Sequence, residues 1–337
     1  MSTHCCPVVP VVLEKHPNAD SLSVVRIGGE GGYMVVVKTD DWKDQPLAVY
    51  VPPDYIVPDL PYFSFLEGKR RITVRRFRGT LSEGMLVPFK AFESKLAPGC
   101  SFESFTEGEN VFDTFGFERY EPPAPRESRP GGPPAPSAPA PEVTGAFTKY
   151  DLEPLKAYPG AFNDDERVLV TEKIHGSNIR LVWTKGELHV GSRTRWTTRV
   201  EENRFWRGAE STPGLLDWLQ THPDVIWYGE AYGQSVQGAK FRYDAPEGEV
   251  RVRLFSNKEH HHFDPLHLWV PELARGRWGD VKQLLEMMVA WPSAIAGQGL
   301  KEGLVIESLD KDYFFDKKLN RIPAKVKMIN PDYYLKG

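Results

Sequence analysis

The sequence is short of cysteine, of long apolar runs and of net charge, and each shortage excludes a class of protein. Of its 337 residues only Cys5, Cys6 and Cys100 are cysteine, and no two of them form a C-x-x-C pair. Neither a disulfide framework nor a cysteine metal site is therefore expected. No run of eighteen apolar residues occurs, and no basic segment followed by an apolar core opens the chain. We therefore expect a soluble cytoplasmic protein that does not enter a membrane.

The net charge is only −4, which does not suit a protein that coats nucleic acid without selectivity. Clustering of basic residues matters more than their total, so a local basic surface is compatible with this value.

Proline divides the chain. The stretch from Pro122 to Pro141 reads PPAPRESRPGGPPAPSAPAP, which has too few apolar residues to fold and is typical of a semi-rigid spacer. We therefore predict a first domain over residues 1–120, a Pro-rich linker over residues 121–145 and a second domain over residues 146–337.

The first domain has the pattern of an all-β barrel. Five short β-prone runs are separated by Gly, Pro, Asn and Asp: Val8–Leu13, Leu22–Ile27, Tyr33–Lys38, Leu47–Val51 and Ile72–Phe77. Such strands suit an OB-like barrel, a fold whose open face often binds nucleic acid. The segments LEKHPNADSLSV (13–24) and SEGMLVP (82–88) also resemble parts of OB-type RNA-binding domains.

A basic segment, GKRRITVRRFRG from Gly68 to Gly79, lies in this domain. In a strand, Arg71, Arg75 and Phe77 would share one face. Basic residues interleaved with an aromatic can follow a nucleic-acid backbone and stack on its bases. We therefore predict that these three residues contact nucleic acid, with a solvated charged edge as the alternative.

The second domain mixes strands and helices without regular βαβ alternation, which indicates an α+β fold. Predicted strands are Asp164–Val170, Asn178–Trp183, Leu188–Gly191, Val225–Tyr228, Val250–Phe255 and Leu304–Glu307, and predicted helices are Pro213–Thr221 and Gly279–Val289.

Six short motifs in this domain carry the chemistry. The first, KIHGSN from Lys173 to Asn178, follows the apolar Val168–Val170. A lysine at the end of a buried strand can be tuned toward its neutral, nucleophilic form. The other five are GSRT from 191, YGEAYG from 228, VRLF from 252, EGLVI from 302 and AKVKM from 324.

In this order the motifs resemble those of the covalent nucleotidyltransferase superfamily, which contains ATP-dependent DNA and RNA ligases and mRNA capping enzymes. The His of Lys-x-His-Gly is similar to the RNA ligase branch, whereas DNA ligases and capping enzymes usually carry Asp there. Only ten residues follow Lys327, too few for the OB domain that follows the last lysine motif in other branches. A barrel before the transferase domain is similar to the two-domain nick-sealing bacterial RNA ligase of the Deinococcus type.

The resemblance implies an OB-like nucleic-acid-binding domain followed by an α+β nucleotidyltransferase domain, an ATP-grasp-like ligase adenylation domain. It implies ATP as substrate, Mg²⁺ or Mn²⁺ as metal, and a nicked duplex with RNA at the 3′-OH side as partner. We expect a monomer. Lys173 would attack the α-phosphorus of ATP and form lysyl-AMP, and Lys325 and Lys327 would contact the α-phosphate.

The same resemblance implies a set of nucleotide-binding residues: Glu172, Ile174, Asn178, Arg193, Glu230, Phe255 and Glu302. Glu230 would bind the ribose hydroxyls, Glu302 a divalent metal, and Arg193 the ribose or a 5′-phosphate. Phe255 would stack on adenine, although read alone it could equally be a core residue. Glu172 would face the adenine edge or a catalytic contact, and His175 would position phosphate, metal or the attacking nucleotide.

The pattern departs from the family after Phe255, where the chain reads SNKEHHHF. The consecutive histidines 260–262 cannot converge on one ion from a regular element, so we expect an exposed polar loop there.

Two other functions fit part of the pattern. A DNA ligase or capping-type enzyme would keep the fold, but the His of the first motif and the missing C-terminal barrel argue against it. A nucleic-acid-binding module with an inactive transferase domain would leave five charged residues without a reason: Lys173, Glu230, Glu302, Lys325 and Lys327.

Overall fold

The computed structural model describes residues 5–29, 31–96, 101–120, 137–143, 152–201, 203–233, 236, 243–255, 267–316 and 319–336. Most of the predicted Pro-rich linker and the whole His260–His262 run lie outside these residues. The chain forms two compact units, Met1–Pro122 with Tyr334–Gly337, and Pro123–Tyr333. No helix within the described ranges is long and apolar enough to cross a membrane.

The first unit is built from short antiparallel strands. They are β1 (Val8–Pro10), β2 (Glu14–Lys15), β3 (Leu22–Ile27), β4 (Tyr33–Lys38), β5 (Leu47–Val51), β6 (Tyr55–Ile56), β7 (Arg75–Phe77), β8 (Thr80–Ser82), β9 (Met85–Val87) and β10 (Glu118–Arg119). Short helices are α1 (Thr39–Trp42) and α2 (Phe112–Phe115), with 3₁₀ segments at Pro61–Leu66, Phe89–Lys95 and Phe102–Ser104. The strands pair as β1-β5-β9, β2-β3-β4, β6-β10 and β7-β8.

Strand β5 is the centre of this unit because both of its faces are buried. Val49 and Val51 pack into one apolar cluster, and Ala48 and Tyr50 into another. Because successive strand residues point to opposite faces, one strand supplies both clusters.

Three of the predicted strands, now β3, β4 and β5, have the predicted bounds. The first predicted strand ends early, at Pro10, which has no N–H for a further ladder bond. The fifth begins only at Arg75, because the backbone of Ile72 bonds to Asp54 and Tyr55 instead.

The second unit contains twelve strands in its described part. They are β11 (Glu153–Pro154), β12 (Arg167–Lys173), β13 (Ser177–Thr184), β14 (Glu187–Ser192), β15 (Trp196–Thr197), β16 (Trp227–Gly233), β17 (Val250–Phe255), β18 (Glu272–Arg277), β19 (Gly303–Ser308), β20 (Tyr313–Phe315), β21 (Arg321–Pro323) and β22 (Lys325–Ile329). The helices are α3 (Arg204–Ser211), α4 (Leu215–Thr221), α5 (Trp278–Val281), α6 (Leu285–Ala290) and α7 (Pro331–Lys336). Short 3₁₀ segments occupy Leu155–Ala157 and Lys282–Leu284.

Two five-stranded sheets form the body of this unit. The order β11-β22-β19-β12-β18 is called the lysine sheet because Lys173 ends β12. The order β15-β14-β13-β16-β17 is called the glutamate sheet because it contains Glu230. Neighbouring strands are antiparallel except for β11 and β22.

The lysine sheet has one apolar and one polar face, as strand alternation requires. Val170, Ile306 and Val326 form one row across three strands and pack into the core. Full burial stabilises each such side chain by about 1.5–3 kcal/mol relative to exposure. The next row, Thr171, Val305 and Lys327, faces the opposite side. Packing of the apolar row therefore fixes the strand pairing that aligns Thr171, Val305 and Lys327 on the polar face.

The predicted helix Gly279–Val289 is observed as α5, one 3₁₀ turn and α6. Helix α3 has no counterpart among the predicted elements. It begins after Asn203, whose side-chain oxygen accepts a hydrogen bond from the N–H of Phe205 at 2.9 Å.

Candidate active site

Lys173 ends β12, and after three connecting residues the chain enters β13 of the other sheet at Ser177. A connection this short brings the two sheets together at the lysine. Gly176 makes the approach feasible, because a Cβ there would lie 2.3 Å from the carbonyl oxygen of Ala231. The Gly of the first motif is therefore a steric requirement.

A cavity of about 230 Å³ opens between the sheets. Its walls contain many of the residues predicted to bind nucleotide: Glu172, Lys173, Ile174, Asn178, Arg193, Glu230, Phe255, Lys325 and Lys327. Leu152, Thr171, Val270, Val305 and Glu307 complete the lining. Residues from all six motifs thus share one cavity.

The amine of Lys173 forms an ion pair with Glu302, with 2.8 Å between Nζ and Oε1. The lysine side chain is 21% exposed and the glutamate 14%. A carboxylate so close favours the charged ammonium form of lysine, whereas nucleophilic attack requires the neutral amine. Glu302 is not itself among the residues lining the cavity.

His175 is held beside this ion pair. Its Nδ1 lies 2.5 Å from the hydroxyl of Tyr333 and 4.0 Å from Oε2 of Glu302. Its backbone N–H donates to the hydroxyl of Tyr243 at 2.7 Å. Two tyrosines therefore fix the ring and the backbone of His175 against Glu302.

Lys325 and Lys327 lie on the cavity face of β22, as their spacing predicts. Lys325 is about 10% exposed and pairs with Glu307 across the strands at 2.8 Å. Along the sheet, Lys327 lies two residues from the row of Lys173 and Lys325 lies four, or about 7 and 13 Å at 3.3 Å per residue. Lys327 is therefore the closer cation to the nucleophile.

Glu230 faces the cavity from the glutamate sheet, in the same row as Asn178. The pKa of its carboxyl is raised to about 8, mainly by burial and also by the negative charge of Glu302. Lys173 and a hydrogen bond from the Gly176 backbone act in the opposite direction but do not cancel the burial effect. At neutral pH Glu230 is therefore largely protonated in the folded protein.

Asn178 offers an unused acceptor. Its Oδ1 is buried, and no described residue donates a hydrogen bond to it. A buried polar atom without a partner is costly, so a ligand that donates to this oxygen or is bound by it would be favoured.

Glu172 lines the cavity and also has partners within the fold, so its contact with the adenine edge stays a prediction. Its carboxylate accepts hydrogen bonds from Ser293 Oγ at 2.5 Å and from the Ala294 N–H at 2.7 Å. It alternates with Lys173 along β12 and so belongs to the opposite face of the sheet. Its side chain is 1% exposed and anchors the segment after α6.

The residues of this site that were not predicted from the sequence include Glu307, Tyr243 and Tyr333. Glu307 could have been found from its place five residues after Glu302, on the strand that pairs with β22. The two tyrosines lie far from the motifs in sequence, and no local pattern marks them.

In the first unit, Arg75 and Phe77 lie on the exposed β7 and share a face, and Phe77 is 40% exposed. Arg71 is separate from them. Its guanidinium binds Asp54 at 2.6 Å and lies 3.8 Å from the centre of the Tyr120 ring. Arg75 is therefore the better placed of the two arginines to meet a phosphate.

Among the described residues no group of three or more His, Cys, Asp and Glu is arranged to hold a metal ion. Mg²⁺ commonly uses one or two carboxylates together with substrate phosphates. The carboxylate of Glu302 and the orphaned amide oxygen of Asn178 are hard donors that fit such a phosphate-borne cation.

Comparisons with known proteins agree with this architecture. Residues 166–327 match the RNA ligase family, and residues 9–89 match an OB-fold domain family. None of the curated proteins matches the chain significantly.

Solved structures of a Naegleria gruberi RNA ligase share the fold. A lysine-to-alanine mutant with ATP and Mn superposes with a TM-score of 0.72 at 19% identity, covering 99% of both chains. A form with PPi gives a TM-score of 0.70 at 19% identity, covering 98% of both chains. The predicted fold class is thereby confirmed. The second unit therefore contains a segment, residues 166–327, that matches the RNA ligase family, and residues 9–89 before it match an OB-fold domain.

Proposed function

We propose that this protein is an ATP-dependent RNA ligase that works through a lysyl-AMP intermediate. The observation that carries the proposal is the placement of Lys173 in one cavity with Lys327, Glu230 and Phe255. Four separated motifs supply a nucleophile, a cation for phosphate, a ribose partner and a ring for adenine. The Naegleria gruberi structures that share the fold hold ATP with Mn, AMP with Mn and PPi.

The cavity orients the nucleotide. Phe255 and Val270 give adenine an apolar contact, and Glu230 binds the ribose hydroxyls from the glutamate sheet. The α-phosphate then lies toward Lys173 and Lys327. Arg193, in the turn between β14 and β15, is available to a second phosphate.

In the first step the Nζ of Lys173 attacks the α-phosphorus. An N–P bond forms, the bond to the bridging oxygen breaks, pyrophosphate leaves and the amine loses its proton. Before attack Lys173 has to leave Glu302 and lose a proton to solvent, because a protonated amine has no free electron pair. Lys327 stabilises the negative charge that develops on the phosphate oxygens.

Glu302 would hold a divalent cation, Mg²⁺ or Mn²⁺, together with phosphate oxygens of the nucleotide. When bound, the cation neutralises phosphate charge in the transition state. His175, fixed by Tyr333 and Tyr243, keeps Glu302 oriented when it exchanges Lys173 for another cation.

Two further transfers follow. The AMP passes from Lys173 to a 5′-phosphate, and a 3′-OH then attacks the adenylylated end and expels AMP. We propose a nicked duplex with RNA at the 3′-OH side as substrate, bound by the OB domain through Arg75 and Phe77. We further propose that the protein acts as a cytoplasmic monomer, with an OB-like domain over 1–120, a linker over 121–145 and the adenylyltransferase domain over 146–337.

The test is to incubate the purified chain with α-labelled ATP and Mg²⁺ or Mn²⁺ and analyse it on a denaturing gel. We expect an acid-labile labelled band that Lys173→Ala abolishes. The matched control Lys282→Ala removes a solvent-exposed lysine of the same unit and should keep the band. A band only with GTP would indicate a capping-type enzyme. Labelling of Lys173→Ala, or no labelling with either nucleotide, would overturn the proposal.

A further inference from the structure

The hairpin of β20 and β21 lies outside the cavity and has two unlike faces. Phe314 and Ile322 are partners across the hairpin and point to the core. Ile322 is 2% exposed, and Phe314 packs edge-on against Tyr158 with 5.4 Å between ring centres. The inner face therefore anchors the hairpin to its own unit.

The outer face carries aromatic rings where a solvated strand would carry polar side chains. Tyr313 pairs with Pro323, and Phe315 pairs with Arg321. Tyr313 is 38% exposed and Phe315 is 58% exposed. Their rings lie 5.4 Å apart at 80°, so they form one surface.

Arg321 belongs to the same surface. Its guanidinium carbon lies 3.7 Å above the centre of the Tyr313 ring, and the residue is exposed. A guanidinium stacked on an aromatic ring has a second flat face, on which a nucleobase can stack while its edge meets a phosphate. Residues 311–321 also contain four basic and two acidic residues by sequence, which favours a negatively charged partner.

The hairpin is also joined directly to the site. Strand β21 ends at Pro323, two residues before Lys325, and β20 begins six residues after Glu307. Both of these charged residues line the cavity. A strand that binds on the hairpin is therefore held close to the Lys325 edge of the cavity.

We propose that the outer face of this hairpin, formed by Tyr313, Phe315 and Arg321, binds an unpaired segment of the RNA substrate by base stacking. This deepens the proposed ligase function and rests on it for the identity of the RNA as substrate. Unpaired RNA is favoured over a duplex because the bases of a duplex are already stacked on one another, whereas those of a single strand present free faces.

The test measures RNA binding without ATP, by fluorescence anisotropy of a labelled single-stranded RNA and of a blunt duplex of equal length. Loss of one stacked base costs about 1–3 kcal/mol, so Phe315→Ala and Arg321→Ala should each raise Kd for the single strand about 5- to 140-fold. Phe315→Tyr, which keeps an aromatic ring, should bind the single strand as the unaltered protein does. Trp291→Ala is the matched control, since Trp291 is an aromatic of the same unit, 46% exposed, at the C-terminal end of α6 and not on either strand of the hairpin; it should leave Kd unchanged.

Several outcomes would overturn the inference. An equal loss for single strand and duplex would mean simple charge attraction, and no loss would mean that the rings do not contact RNA. A dimer in light scattering that Phe315→Ala dissociates would assign the face to a second copy of the chain. Lysyl-AMP formation, assayed in parallel, should be unchanged in the hairpin variants. If the unaltered protein formed no lysyl-AMP, the proposed ligase function would be wrong. The RNA-binding measurements would still test the hairpin independently.

Discussion

Replacing Glu230 by Gln is expected to remove a part of the pH dependence of stability that has a defined direction. The folded protein raises the pKa of this carboxyl from 4.5 to about 8, mainly by burial. A group whose folded pKa is raised binds its proton more tightly in the folded state. The stability it contributes is complete below the unfolded pKa of 4.5 and declines until the pH passes the folded pKa of about 8.

The structure sets the size of this effect. At about 1.4 kcal/mol per pKa unit, the difference between 4.5 and about 8 corresponds to at most about 5 kcal/mol. The neutral amide of Gln has no charged form to desolvate. Glu230→Gln should therefore gain stability over the unaltered protein as the pH rises from 5 to 9, by up to several kcal/mol.

Urea denaturation at pH 5, 7 and 9 measures this difference through the free energy of unfolding. Glu286→Gln, which removes an exposed carboxylate from α6 in the same unit, controls for the loss of one negative charge. A difference between Glu230→Gln and the unaltered protein that stays constant from pH 5 to pH 9 would refute the reasoning, because burial would then not oppose ionisation of Glu230.

Three further outcomes are expected. Gly176→Ala should destabilise the fold by about 1–3 kcal/mol, because its Cβ would lie 2.3 Å from a β16 carbonyl. The control Gly299→Ala has open space around the new Cβ and should not lower the melting temperature. Equal melting temperatures for the two variants would contradict the steric argument. Tyr333→Phe removes the hydroxyl at 2.5 Å from His175 and should slow single-turnover lysyl-AMP formation about fivefold, the value of one hydrogen bond of about 1 kcal/mol; an unchanged rate would show that this contact does not position the site. Arg75→Ala should weaken duplex binding and lower its salt slope by about one without changing lysyl-AMP formation, and a loss of both would point to misfolding instead.

Strand alternation explains why so much of the fold could be predicted. Strands β3, β4, β5 and β17 have the predicted bounds, since each is a β-branched run ended by turn residues or a change of pattern. Helix α3 was missed because its residues Phe205 and Trp206 favour strands as much as helices. The Asn203 cap, with Trp206 and Ala209 buried on one face, was the signal that could have identified it.

The order of the motifs predicts which residues come together in the cavity. It does not predict which other side chains those residues contact. Lys173, Glu230 and Lys327 stand at strand ends or in marked motifs, so their convergence could be expected. The hydrogen bonds of Glu172 with Ser293 and Ala294 show the limit of this reasoning, because a motif gives proximity in sequence and does not give the tertiary partners of a side chain. Tyr333 meets His175 only through tertiary folding, which no local pattern encodes.

The ion pairs of the cavity make the proposed nucleotide binding an exchange of anions. Lys173 is bound to Glu302 and Lys325 to Glu307, so an incoming phosphate competes with carboxylates that the chain itself tethers at high local concentration. A simple ion such as chloride or inorganic phosphate brings nothing to offset that competition. A nucleotide also brings an adenine ring and ribose hydroxyls, which make further contacts. The carboxylates of the ion pairs therefore favour the binding of nucleotides over that of simple anions.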